Sequence, residues 1–432
     1  MSLPGLAVRT PQLISRAPAA TLSKETTRIE LRQKKRANCA VYGFGLSASG
    51  ALAIPKLVVQ DGMVTSRETK KPLRIAFFNL REIRKVAAGF GFSLFASRNK
   101  LYGAGLNNRF QIAGRLGDES KPKGEGGGGR EKYYISGRRV GGLPEDARIV
   151  DVSAGRAHSL VIAGDKVYAF GCNVHAQCGV DPSVAGERIA ASSNSPFLPQ
   201  VVLPTNSKPV SVHCTLDTSF VLTEDGKVYS FGLNEDGQCA NGEFGIVCEP
   251  KEITGDTAGE RIVSLAGSTD TIMAIGENGQ VFIWGMNEYG QAGPAYADRI
   301  QLPFSRALPF TLPRIRRAVA TVTTCSLLTE AGSVLTWGVG VLGLGPDVMR
   351  LQRPSEMPQT LFEGKKVTSL HSGNVASAAV NEDGTVFVWG QNRYGLLGLG
   401  HDKDQLFPYP LFFQGDVKDI SISPDHTLVL AK

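Results

Sequence analysis

SAGRAHSLVIAGDKVYAFGCNVHAQCG, from Ser153 to Gly179, decides how the chain folds. A short apolar run follows Gly155, Asp165 and Lys166 form a turn, a second apolar run ends in Phe170-Gly171, and an Asn173 turn closes the unit. Two runs of strand length joined by a polar turn pair antiparallel, because turn residues punctuate strands that need few residues each. One such pair cannot cover its own apolar face, so the unit has to recur.

It recurs along the whole chain. VYGFG, LYGAG, VYAFG, VYSFG, VFIWG, VLTWG and VFVWG end at Gly45, Gly105, Gly171, Gly232, Gly285, Gly338 and Gly390, spaced 52 to 66 residues apart. The first half, a small-residue turn with a hydroxyl and an apolar run, recurs at Ser93, Ser159, Ser219, Thr271, Ser326, Ser377 and Thr427. The chain therefore opens with a second half that lacks its first, and closes with a first half that lacks its second. Pairing the run Val417 to Ala431 with the strand around Val41 to Gly45 completes seven units and shuts a ring. Radial repetition leaves only short, protected sheet edges. The pattern predicts an all-β, seven-bladed β-propeller over residues 39–432, closed by its N- and C-terminal strands.

Charge is concentrated at one end. The 432 residues carry a formal charge of +7, and residues 1–38 supply +6 of it, so the propeller itself is nearly neutral. The first acid is Glu25, after a mix of Arg, Ser, Thr and apolar residues. That composition fits a mitochondrial transit peptide, with a disordered basic tail as the alternative. No uninterrupted apolar run reaches membrane-spanning length. Seven cysteines without a CxxC pair fit a reducing compartment rather than a disulfide framework. Cys172, His175 and Cys178 have metal-like spacing, yet Cys239 and Ala292 occupy the slot of Cys178 in the next two copies, so a small apolar position is expected and no metal.

Asn107, Asn173, Asn234, Asn287 and Asn392 recur after the aromatic-Gly element and mark a structural turn, because Asn tolerates left-handed backbone and bonds neighbouring backbone groups. Phe170, Phe231, Trp284, Trp337 and Trp389 form one column expected to fill the space between blades. Three long insertions, near residues 59–85, 121–134 and 181–204, are expected as loops, the places where binding resides on rigid scaffolds. No nucleophile triad, phosphate loop or dinucleotide fingerprint stands out, so no bond-making chemistry and no cofactor are expected.

The paired AGRAHSL and VYAFG elements followed by N-x-x-x-Q-C-G resemble the repeats of the regulator of chromosome condensation family. GLSASGALAIPKLVV at 45–59, WGVGVLGLGP with PSEMPQTLF between Trp337 and Phe362, and DQLFPYPLF at 404–412 are similar to its mitochondrial, G-exchanging-factor-like branch. The resemblance implies a propeller of this repeat type in the mitochondrial matrix or peripheral to the inner membrane. It implies two roles: guanine-nucleotide exchange on a dynamin-like fusion GTPase, and a part in assembling the large ribosomal subunit with its rRNA and assembly proteins. Exchange residues of the nuclear relative do not transfer, because only His158 and His426 keep histidine in their column.

For exchange, the partner-facing set is Asp217, Asp270 and Asp425 in the turns before the recurring hydroxyl, with Arg156, His158 and His426 beside them. The two histidines also fit a bond across to a neighbouring blade. For RNA, phosphate contacts fall to Lys70, Lys71, Arg74, Arg314, Arg316 and Arg317.

Overall fold

The recurring glycine explains the local geometry first. Gly171 adopts φ +117°, and a Cβ there would stand 2.5 Å from the Ala157 carbonyl oxygen. The glycines ending the other six aromatic-type runs also have φ between +85° and +122°. Only glycine takes this backbone without penalty while another backbone closes against it. The element that marks the repeat in sequence is therefore where the third strand of each blade crosses the turn between its first two.

The computed structural model describes residues 39–60, 63–64, 67–112, 133–191 and 197–432. The basic segment 1–38 and the glycine-rich insertion with Lys121, Lys123, Arg130 and Lys132 lie outside the described residues. Seven antiparallel sheets form the ring. Blade one comprises Lys85–Ala88, Phe92–Ala96, Leu101–Leu106 and Tyr133–Arg139, counted from the centre outward. Blades two to six begin on the inner strands Ile149–Ala154, Pro209–Cys214, Ile262–Gly267, Ile315–Ala320 and Val367–Ser372. Blade two has a broken outer edge, Arg188–Ile189 and Gln200–Val201, both paired to its third strand.

Blade seven is made from both ends of the chain, in the order Val417–Ile422, His426–Ala431, Ala40–Leu46, Glu68–Arg74. Tyr42 pairs with Val429 and Gly43 with Leu428, which is the predicted closure. One expectation is corrected here: the stretch 59–85 is not a single loop. Glu68–Arg74 is the outer strand of blade seven, a seven-residue run whose side chains alternate along an edge.

The apolar core lies between blades rather than at the axis. Trp284, Trp337, Phe170 and Phe231 are wholly buried, and Trp389 nearly so. They also explain how blades are bolted together. The carbonyl of Gln238 accepts from Trp284 Nε1 of the next blade at 2.8 Å, and that of Gln291 accepts from Trp337 Nε1 at 2.7 Å. In blades two, three and seven, where phenylalanine stands in the tryptophan column, the recurring hydroxyl takes over: Ser159 donates to Gln111 O, Ser219 to Gln177 O and Thr427 to Leu396 O. A buried carbonyl needs a donor, and either side chain supplies it from the neighbouring blade.

The asparagine turns behave alike in all five copies. The Oδ1 of Asn107, Asn173, Asn234, Asn287 and Asn392 accepts from the backbone N–H five residues on, at 2.7 to 3.0 Å. Asn287 Nδ2 also donates to the carbonyls of Tyr296 and Arg299. Asn287→Ala leaves the buried Ala292 N–H unpaired, and a destabilisation of about 1–3 kcal/mol is expected. Chemical denaturation with an unchanged slope would measure it.

Candidate functional site

Strand direction sorts the loops onto two faces. Each inner strand runs to a turn, the second strand returns, the third runs back to the same side and a loop leads to the outer strand. The turns before the recurring hydroxyl and the long insertions after the Asn position therefore share one face, here the upper face. The hairpins between second and third strands and the blade-to-blade connections form the lower face. Arg156, Asp217, Asp270 and Asp425 all lie on the upper side by this rule.

They do not make one uniform patch. Asp217 is 3% exposed and is clamped by the half-exposed Arg156 of the preceding blade. Gln177 Nε2 donates to its other oxygen at 3.1 Å. Asp270, one blade further on, accepts from Gln238 Nε2 at 3.0 Å. Its carboxyl is pushed up to about 6, chiefly by burial and then by Asp236, while Gln238 and Arg156 act in the other direction. Asp217, Asp236 and Asp270 thus form an acidic sector over blades three and four. Beside it, the buried hydroxyls of Thr215 and Thr269 lack a hydrogen-bond partner among the described residues.

The acid at position 270 makes a pH prediction. Its folded pKa lies above the unfolded value near 3.9, so the folded state holds more protons between about pH 4 and pH 6. Stability is then lost as pH rises through that window and is fully present below it. Asp270→Asn removes the ionised form while keeping a carbonyl oxygen for Gln238. The variant should be more stable than the parent at pH 8, by about 2 kcal/mol, and indistinguishable at pH 4. Paired thermal melts at both pH values would check it.

Asp425 stands apart, in blade seven. Burial alone would raise its pKa, but His426 and Ser423 more than reverse this and leave it below the usual range. His426 is buried, with Nδ1 2.7 Å from Asp425 Oδ1 and Nε2 2.7 Å from Ser93 Oγ of blade one. Ser93, His426 and Asp425 therefore follow the connectivity of a hydrolytic triad. Ser93 and His426 are both 0% exposed, which seals them from any substrate. His158 Nε2 lies 2.9 Å from Ser219 Oγ of blade three, and burial, with Arg156, holds its pKa down to about 3. Both histidines are interblade bonds, so the structure withdraws them from the partner-facing set.

These two joints share more than histidine. Asp151, Ser153 and His158 bond to Val212 N, Cys214 N and Ser219 of blade three. Asp419, Ser421 and His426 bond to Val86 N, Ala88 N and Ser93 of blade one at the same spacing. The signal was present in the sequence as D-x-S-x-x-x-x-H, occurring twice. It reads as chemistry only once the facing backbone edge is known.

The basic set is scattered. Lys70 is held by Asp402 at 2.9 Å and Arg314 by Glu330 at 3.0 Å. Lys71 and Arg74 lie exposed on the outer rim of blade seven. Arg316 and Arg317 belong to the inner strand of blade five, beside the axis. No single surface presents all six. Among the described residues no group of His, Cys, Asp and Glu is arranged to hold a metal, and Cys172 and Cys178 are separate free thiols. No helix among them is long and apolar enough to cross a membrane. Sequence reasoning missed Asp236, Gln177 and Gln238; the Gln that follows the turn Asn by four residues in four copies was the available signal.

The family model described as the regulator of chromosome condensation (RCC1) repeat matches residues 225–275 and 383–430, and a second model of this repeat matches 210–238. The mouse RCC1-like G exchanging factor-like protein is 33% identical over 91% of this chain and 87% of its own length. Its human counterpart is 32% identical over 91% and 86%. Among solved structures, human WBSCR16 has a TM-score of 0.79 at 31% identity, covering 91% of this chain and 99% of that one. Yeast Prp20p has a TM-score of 0.71 at 16% identity, covering 93% and 94%, and that likeness concerns the fold alone.

Proposed function

Because the chain belongs to the family of RCC1-like G exchanging factor-like proteins, we propose that it is a guanine-nucleotide exchange factor whose upper face docks a GTPase. Such a factor makes and breaks no covalent bond. It binds the nucleotide-free GTPase better than the loaded one, and by linkage each ligand weakens the other equally. Turning a mostly loaded partner into a mostly empty one takes about 5.5 kcal/mol of differential binding.

The observation that carries this proposal is the acidic sector of Asp217, Asp236 and Asp270. A carboxyl held near 6 by burial and by like charge is unsatisfied at neutral pH and gains from an approaching cation. A GTPase whose nucleotide and metal have left presents the basic groups that held them. Acids fixed on a rigid rim would engage those groups only in the empty state. Purified protein should accelerate release of labelled GDP from its GTPase; release unchanged at saturating protein would reject the proposal.

We further propose that residues 1–38 direct the chain to mitochondria, in the matrix or at the inner membrane surface, and that a dynamin-like fusion GTPase is the partner. Fractionation of cells expressing the chain with and without that segment tests the address. Membership of a large-ribosomal-subunit assembly module is the second function we propose. It rests on the exposed Lys71 and Arg74 and requires only local phosphate contacts or protein-mediated docking. Crosslinking that recovers neither large-subunit rRNA nor ribosomal proteins would remove it.

A further inference from the structure

Counting four residues back from the turn on each inner strand gives one level of the central channel: Lys85, Asp151, Ser211, Ser264, Arg317, Ser369 and Asp419. Both acids at this level are already engaged. Asp151 accepts from Lys85 Nζ at 2.8 Å, from Ser211 Oγ at 2.8 Å and from Val212 N at 3.1 Å. Asp419 accepts from Val86 N at 3.1 Å. These bonds close the inward-facing backbone edges of blades three and one.

Arg317 is different. Among the described residues it makes no hydrogen bond and no ion pair, although its side chain is exposed to the channel. Its charge is felt by Lys85 of blade one, His213 of blade three, His371 of blade six and Asp419 of blade seven. All of these groups lie on the innermost strands of their blades, as Arg317 does, so its charge acts across the channel. Burial depresses both histidines, which therefore stay neutral and add no competing charge at neutral pH. Ser264 and Ser369 supply hydroxyls at the same height, the oxygen of Ser369 lying 3.2 Å from His371 Nε2. One residue further toward the lower face stands the exposed Arg316, while Arg84 and Lys418, at the same level on blades one and seven, are held by Glu82 at 3.1 Å and Asp416 at 3.6 Å. A guanidinium presents five donors in a planar fork that matches an oxyanion, and Arg317 is the cation of this level whose fork is unspent, since Lys85 is held by Asp151.

We propose that the lower half of the central channel is an oxyanion site in which Arg317 binds a phosphate or carboxylate group, with the hydroxyls of Ser264 and Ser369 completing it. The site is reached from the lower face, opposite the GTPase-docking face, and does not depend on that function.

The test is calorimetric titration of the full chain with inorganic phosphate and, separately, with succinate, at constant ionic strength. One saturable site is expected, weakened at least tenfold in Arg317→Gln and unchanged in Arg353→Gln, which removes an exposed outer-strand arginine. Saturation by phosphate alone assigns a phosphate ligand; saturation by succinate alone assigns a carboxylate. No saturable site for either anion, or equal affinity in Arg317→Gln, overturns the proposal. Should Arg317→Gln lose the folded circular dichroism spectrum, Arg317→Lys decides: it keeps the charge but not the fork, so weaker binding is expected and unaltered affinity overturns the site.

Discussion

Removal of residues 426–432 is expected to abolish the cooperative thermal transition of the whole ring. The strand His426–Ala431 is buried along its length and sits between Val417–Ile422 and Ala40–Leu46. It contributes Leu428 and Leu430 to the core shared with blade one, and Val429 to the core shared with blade six. Burial of three such side chains is worth about 5–8 kcal/mol, of the order of the entire stability of a typical domain. Its loss also unpairs two strand edges and breaks the bonds from His426 to Ser93 and from Thr427 to Leu396. A truncated chain that still melted cooperatively within a few degrees of the parent would show that the ring does not depend on its clasp.

Charge reversal at Asp270 should have the largest effect on exchange. Asp270→Lys replaces an acid at the centre of the docking sector with a cation that would face the basic groups of an empty GTPase. Truncating one member of a desolvated charge pair costs about 2–5 kcal/mol, and reversal adds repulsion. Exchange is then expected to fall at least thirtyfold, since each 1.4 kcal/mol is a factor of ten. Asp270 is partly exposed at the end of a turn, so the lysine has room to leave the surface and the fold should persist. Asp270→Asn should fall between the two. Undiminished GDP release by a D270K chain that melts like the parent would place the docking surface elsewhere.

Much of the candidate site was legible in the sequence by position and little of it by environment. Asp217 and Asp270 were found because both precede the recurring hydroxyl. That one is clamped by Arg156 while the other is pushed up by burial and then by Asp236 depends on loops from neighbouring blades, separated from them by tens of residues. His158 and His426 show the same limit. Their column placed them near a partner-facing turn, but packing of the next blade against that turn buried both and turned them inward to Ser219 and Ser93.

The sequence alone determined the seven units, the ring and its closure, because those follow from local periodicity: paired apolar runs and an aromatic-type run ending in glycine repeat in every unit, and an asparagine turn in five of the seven. It also marked the hydroxyl of five copies at one level, though not its use, whereas the register places Thr271 and Ser326 one residue to either side of that level, opposite Gly285 and Thr336. Tertiary structure decided which groups are spent and which are free. Asp151 and Asp419 are absorbed in closing backbone edges, Lys70 and Arg314 are paired, and Arg317 is left open at the axis. Those outcomes are set by what each side chain meets across a blade boundary, and a linear repeat does not encode that meeting except through the packed ring.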